Sequence, residues 1–171
     1  NDGFSSAILI GSVPSALSAD TRGASTVSTD PVPTNCGVGK NSNSVWYKYV
    51  APANGLLEVD TWGSDYDTVL AVWTGTISNL TQIQCNDDLY GYMEAWLENV
   101  PVTAGVTYYI EVMDYDTPDG GALQLYVDFA STPSNNDFNT PTTISVVPYS
   151  VTADIRGATQ ASDDPSLTVC N

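Results

Sequence analysis

NSVWYKYVAPANGLLEVDTWGSDYDTVLAVWTGT, residues Asn43–Thr76, decides the fold. Val45, Tyr47 and Tyr49 alternate with Trp46, Lys48 and Val50, the period-two pattern of a strand with two different faces. Asn54-Gly55 is a turn signal, Leu56–Trp62 reads as a return strand, Gly63-Ser64-Asp65 as a break and Thr68–Trp73 as a third strand. Further strands are expected at Phe4–Ile10, Gln82–Cys85, Ala95–Val100, Thr107–Met113 and Ala122–Phe129. Turn signals recur roughly every 8–12 residues and no stretch carries a helical period, which points to an all-β, antiparallel, jelly-roll-like β-sandwich.

Composition agrees. Of 171 residues 42% are hydrophobic, enough for one core, and only 14% are charged. Asp outnumbers Glu sixteen to four, and Asp is a turn residue and hard oxygen ligand rather than a helix former. The formal charge of -16, with only four Lys and Arg together, leaves no cationic surface for a phosphate backbone, so nucleic acid is excluded as a partner. The absence of histidine removes Ser-His-Asp and Cys-His catalysis and histidine metal ligation. No apolar run approaches the roughly 18 residues of a membrane span, so membrane insertion is not expected. Paired carboxylates also serve glycosidases, but such an enzyme needs a deep cleft and a larger chain. The chain reads as non-catalytic.

A repeat divides the sequence. Shifted by 134 positions, residues 1–37 align without a gap on 135–171. Identities include Phe4/Phe138, Ile10/Ile144, Pro14/Pro148, Ala19-Asp20/Ala153-Asp154, Arg22-Gly23-Ala24/Arg156-Gly157-Ala158, Asp30-Pro31/Asp164-Pro165 and Cys36/Cys170. The module is therefore 1–134, and 135–171 opens a second copy after the polar linker Ser131-Thr132-Pro133-Ser134. A period this long reads as beads on a string rather than a solenoid. The tail is expected to form strands near Thr142–Val147 and Ser150–Ile155. About 36 residues cannot bury a core alone. The tail must complete something else: a second covalent module, or a neighbouring subunit to which it adds strands.

The quoted stretch, with CNDD (Cys85–Asp88) and VTAGVTYYIEV (Val102–Val112), resembles the bacterial pre-peptidase C-terminal domain. The resemblance covers nearly the whole module and is strongest at Gly63–Thr76 and Cys85–Asp88. It implies a sandwich found, often in tandem, in secreted proteases and surface proteins, accessory or structural rather than catalytic, with calcium bound in some members. Three cysteines in such a setting make one disulfide and leave one over. The resemblance implies the pair Cys36–Cys85, leaving Cys170, the image of Cys36, unpaired or in an intermolecular bond. It also brings GSDYD and CNDD together, making Asp65, Asp67, Asp87 and Asp88 candidate ligands for Ca2+; the competing reading is that they are turn caps bonding their own backbone.

Two functions follow. One is a structural module of an extracellular tandem-repeat or filament-forming surface protein, whose partners are copies of itself and whose contact residues are Phe138, Ile144, Val147 and Val151. The alternative is a carbohydrate- or substrate-binding accessory module of a secreted hydrolase. Loop aromatics Tyr90, Tyr92 and Trp96 would then contact glycans. Arg22 and Arg156, two of the four basic residues in one repeat slot, read as structural ion pairs.

Overall fold

The computed structural model describes residues 1–25, 27–36, 42–88, 91–115, 119–162, 164 and 165. Nine strands follow a short 3-10 turn at Phe4–Ser6: β1 (Ile8–Leu9), β2 (Ser15–Asp20), β3 (Ser42–Val50), β4 (Gly55–Asp60), β5 (Thr68–Thr76), β6 (Asn79–Asn86), β7 (Trp96–Val102), β8 (Thr107–Asp114) and β9 (Ala122–Ser131). They make a five-stranded sheet, β1-β3-β8-β5-β6, and a four-stranded sheet, β2-β9-β4-β7. The expected all-β sandwich is the observed fold. All pairings are antiparallel except β1 with β3, which runs parallel at Ile8↔Tyr47.

The alternation read from the sequence sorts the core. Val45, Tyr47 and Tyr49 of β3 meet Leu57 and Val59 of β4, Leu97 and Val100 of β7 and Leu125 and Val127 of β9 between the sheets. The other face of β3 is not solvent. Trp46 is fully buried with Val69, Ala71, Trp73 and Met113 in a second cluster, roofed by Phe4. The Phe4 ring stands 5.3 Å from Trp46 and 4.3 Å from Tyr109. Glu111 lies in this roofed layer, fully buried, accepting a 2.9 Å hydrogen bond from Trp73 Nε1. Desolvation first, and the Asp30 charge second, hold its carboxyl well above the usual range.

Phe4–Ile10, expected as one strand, is a turn followed by two-residue β1, while β2 was not expected. Its sequence SALSAD is small and polar, and its regularity comes from pairing with β9 over Ser15↔Val127 to Asp20↔Ala122. The head thus supplies an edge strand to each sheet and straddles both. Asn43 secures it: in the left-handed region (φ 52°) beside the β3 bulge, it donates to the carbonyls of Thr21 (3.1 Å) and Ala24 (3.2 Å).

The strands expected in the tail do not form among the described residues. A strand needs a partner. The head's β1 and β2 lie on β3 and β9, so both positions the tail would take are already filled.

Candidate functional site

Three places on the module carry the residues that the sequence singles out. The first is the loop end where β5 begins and β6 finishes. Ligand oxygens of Asp67, Asp87 and Asp88 lie within 4.8 Å of one another. Asp67 Oδ1 and Asp87 Oδ1 are buried and accept no hydrogen bond among the described residues. Such orphaned carboxylate oxygens do not behave as turn caps; their chemistry suits a hard cation. Calcium takes six to eight oxygens, so three carboxylates are a partial set to be completed by carbonyls or water. Asp65 is not among them. Tyr66 is buried in the core, and Asp65 accepts from Ala122 N (2.6 Å) and an Arg22 guanidinium nitrogen (3.3 Å).

Desolvation, then the charges of Asp88 and Asp114, push Asp67 up to about 6; desolvation, then Asp88 and Asp67, do the same to Asp87. The sign follows from linkage. Both carboxyls are raised above their unfolded values, so the cation-free fold binds extra protons, and stability falls as pH rises from about 4 through 6. A cation competes with those protons. Calcium is therefore expected to raise the melting temperature at pH 7.5 and to do little at pH 5, with Asp87→Asn abolishing most of the response. An identical melting curve in excess EDTA and in millimolar calcium at pH 7.5 would remove the metal.

The second place is the outer face of the four-stranded sheet. Tyr92 is exposed and its ring lies 5.3 Å from that of Trp62, which is also exposed. Trp96 is half-buried, its Nε1 donating to Glu58 Oε1 at 3.1 Å. Tyr90 lies outside the described residues. Trp62, an aromatic of the expected Leu56–Trp62 strand, and Tyr126 join this face, and the sequence carries the signal for Trp62. Leu57 and Val59 face inward, so the acids at 58 and 60 mark the solvent face, and Trp62 continues that row.

The third is the tail. Its described residues reproduce the head's local bonds at a 134-residue offset. Thr140 N donates to Asp137 O (2.9 Å) as Ser6 N does to Gly3 O (2.8 Å); Ala158 N to Ile155 O (3.0 Å) as Ala24 N to Thr21 O (2.9 Å); Arg156 N to Asp154 Oδ1 (3.0 Å) as Arg22 N to Asp20 Oδ1 (3.1 Å). Ala161 N to Asp164 Oδ2 (2.8 Å) matches Val27 N to Asp30 Oδ2 (3.0 Å), and Thr159 N bonds the Asn136 side chain as Ser25 N bonds Asp2. Both copies carry a cis peptide, Val13-Pro14 and Val147-Pro148. Burial differs. Phe138, Ile144, Val147 and Val151 are exposed, whereas their counterparts Phe4, Ile10, Val13 and Leu17 pack into the two apolar clusters. The tail touches its own module where Arg156 pairs with Asp128 (2.6 Å) and where Gly157 lies against the Ala130 and Ser131 carbonyls, while Arg156 also pairs with Asp154 inside the tail (2.8 Å). Both arginines are ion-paired, Arg22 with Asp20 and Asp65 and Arg156 with Asp128 and Asp154. Cys170 lies outside the described residues; Cys36 and Cys85 are disulfide-bonded.

The chain is similar to a pre-peptidase C-terminal domain. The solved structure is that of the pre-peptidase C-terminal domain of a collagenase from Bacillus anthracis, determined at 1.0 Å. Identity is 11% and the TM-score 0.46, over 71% of this chain and 94% of that one. No protein-family model matches the chain, and no curated protein does. No helix among the described residues is long and apolar enough to cross a membrane.

Proposed function

We propose that residues 1–134 are a non-catalytic structural module of an extracellular tandem-repeat or filament-forming surface protein. Residues 135–171 join modules end to end, taking on a neighbouring module the place that residues 1–37 take on this one. One observation carries the reading: the tail holds the head's local bonding while exposing the four residues whose head counterparts are packed in the core. A segment already shaped for a slot, with its apolar side uncovered, calls for a second slot. The same contact serves a chain that continues into a second module, whose head the tail then is, and a polymer in which the tail displaces residues 1–37 from another copy. A contact that joins unlike ends propagates into a fibre wherever the rotation between modules does not close a ring. The disulfide suits an oxidising, extracellular setting.

Calcium has a supporting part. Asp67, Asp87 and Asp88 would hold it, and the ion would neutralise a loop cluster in a chain of charge -16.

Removing residues 135–171 tests the joining role. Sedimentation of the truncated module should show a folded monomer at every concentration, while the full chain forms end-to-end species. The same assemblies without the tail, or a full chain that stays monomeric at high concentration, would overturn it.

A further inference from the structure

We propose that the outer face of the four-stranded sheet, around Trp62, Trp96 and Tyr126, binds a neutral pyranoside chain. Strand register builds the site. Asp60 of β4 lies opposite Tyr126 of β9 on one side and Trp96 of β7 on the other, so the three form one row across the sheet. Along the chain Glu58 precedes Asp60 by two residues and Trp62 follows it by two, and together the five line an open concavity of about 550 Å³. Trp62 is 56% exposed, whereas Trp46 and Trp73 are buried. Leaving an indole in water forgoes burial worth a large share of a residue's hydrophobic contribution, and here it is done beside a second indole and two tyrosines.

The polar groups say what the ligand must bring. Trp62 N donates to Asp60 Oδ1 at 2.9 Å and Trp96 Nε1 to Glu58 Oε1 at 3.1 Å, so both carboxylates are held in place with a second oxygen free of these bonds. They are acceptors. The nearby cation, Arg156, is held by Asp128 and Asp154. The ligand therefore supplies hydrogen-bond donors and carries no negative charge. It also presents an apolar face to the aromatic rings. A neutral pyranose does all three: its hydroxyls donate, and its axial C–H face lies against the electron-rich face of an indole. A basic peptide also brings donors. At a charge of -16 it would find carboxylates over the whole surface, whereas the paired tryptophans occur here. None of the five lining residues belongs to the tail, so failure of this site leaves the joining role untouched.

The test is isothermal titration calorimetry of the full chain with cellohexaose, xylohexaose, mannohexaose and chitohexaose in 0.5 M NaCl. At least one should bind with a Kd below 10 mM. Trp62→Ala should weaken that binding at least tenfold and Tyr126→Ala about threefold, with melting temperatures unchanged because both side chains are on the surface. No binding by any of the four overturns the proposal. So does equal binding by both variants, or a pattern in which a hexalysine peptide binds at low salt and the sugars do not.

Discussion

Ile144→Asp should leave the module's melting temperature unchanged and prevent it from joining another; Ile10→Asp, the same change one repeat earlier, should unfold it. Ile10 is buried between the sheets, and Ile10 N donates to Lys48 O at 2.9 Å. A carboxylate there loses the apolar burial and is desolvated between the sheets, which places the cost above about 4 kcal/mol. Ile144 is 58% exposed, so a charge costs the isolated chain almost nothing. In an assembled module the account buries Ile144 as Ile10 is buried. Covering Phe138, Ile144, Val147 and Val151 at about 1.5–3 kcal/mol each contributes roughly 6–12 kcal/mol. Free association costs about 4–15 kcal/mol, so the gain and the cost are comparable. One misplaced charge then decides the outcome. Denaturation curves and sedimentation on both variants check it; a destabilised Ile144→Asp chain, or one that still joins, would contradict the account.

Replacing Cys36 and Cys85 together by Ser should lower stability by about 4 kcal/mol, read as a reduced denaturant midpoint. The bond closes a loop of sequence separation 49, and on the chain-entropy model a loop of that size gives a value between those for short and long loops. Its location adds to the effect. β6 is an edge strand of the five-stranded sheet, and the segment ending at Cys36 is pinned to it: Thr34 N donates to Gln82 Oε1 (2.8 Å) and Gln82 Nε2 to Thr34 O (2.9 Å). Without the disulfide that cover loosens and an unpaired edge opens, so the variant should also aggregate sooner on heating. An unchanged midpoint would show that the hydrogen bonds alone hold the segment.

How far the sequence discloses this molecule depends on where each residue's partners lie. β3 and β5 are legible because alternation and bulk are properties of the strand itself. β2 is not, because SALSAD has neither; its strand character comes from β9, more than a hundred residues away. The repeat shows this twice. The strands expected at 142–147 and 150–155 correspond, 134 residues earlier, to β1 and β2 with their flanks: the same pattern forms strands in the head, where β3 and β9 pair with it, and none among the described residues of the tail. Of the four Asp residues, three converge and Asp65 does not, since Asp65 is taken up by Ala122 N and Arg22, partners 57 and 43 residues away in the sequence. The buried Glu111 leaves no trace in an alternation that also places Lys48 and Glu98 on strands. The exposure of Trp62 was within reach, since the acids at 58 and 60 had already marked its face.

The most direct test of the joining role uses a headless module, residues 38–134. Peptide 1–37 should first restore its melting transition and re-form the Cys36–Cys85 bond, which establishes that the slot is intact. Full-length chain added instead should give a one-to-one complex, and non-reducing peptide mapping should find its Cys170 joined to Cys85 of the headless module. Restoration by peptide 1–37, with no complex and a free Cys170 when the full chain is used, would contradict the account.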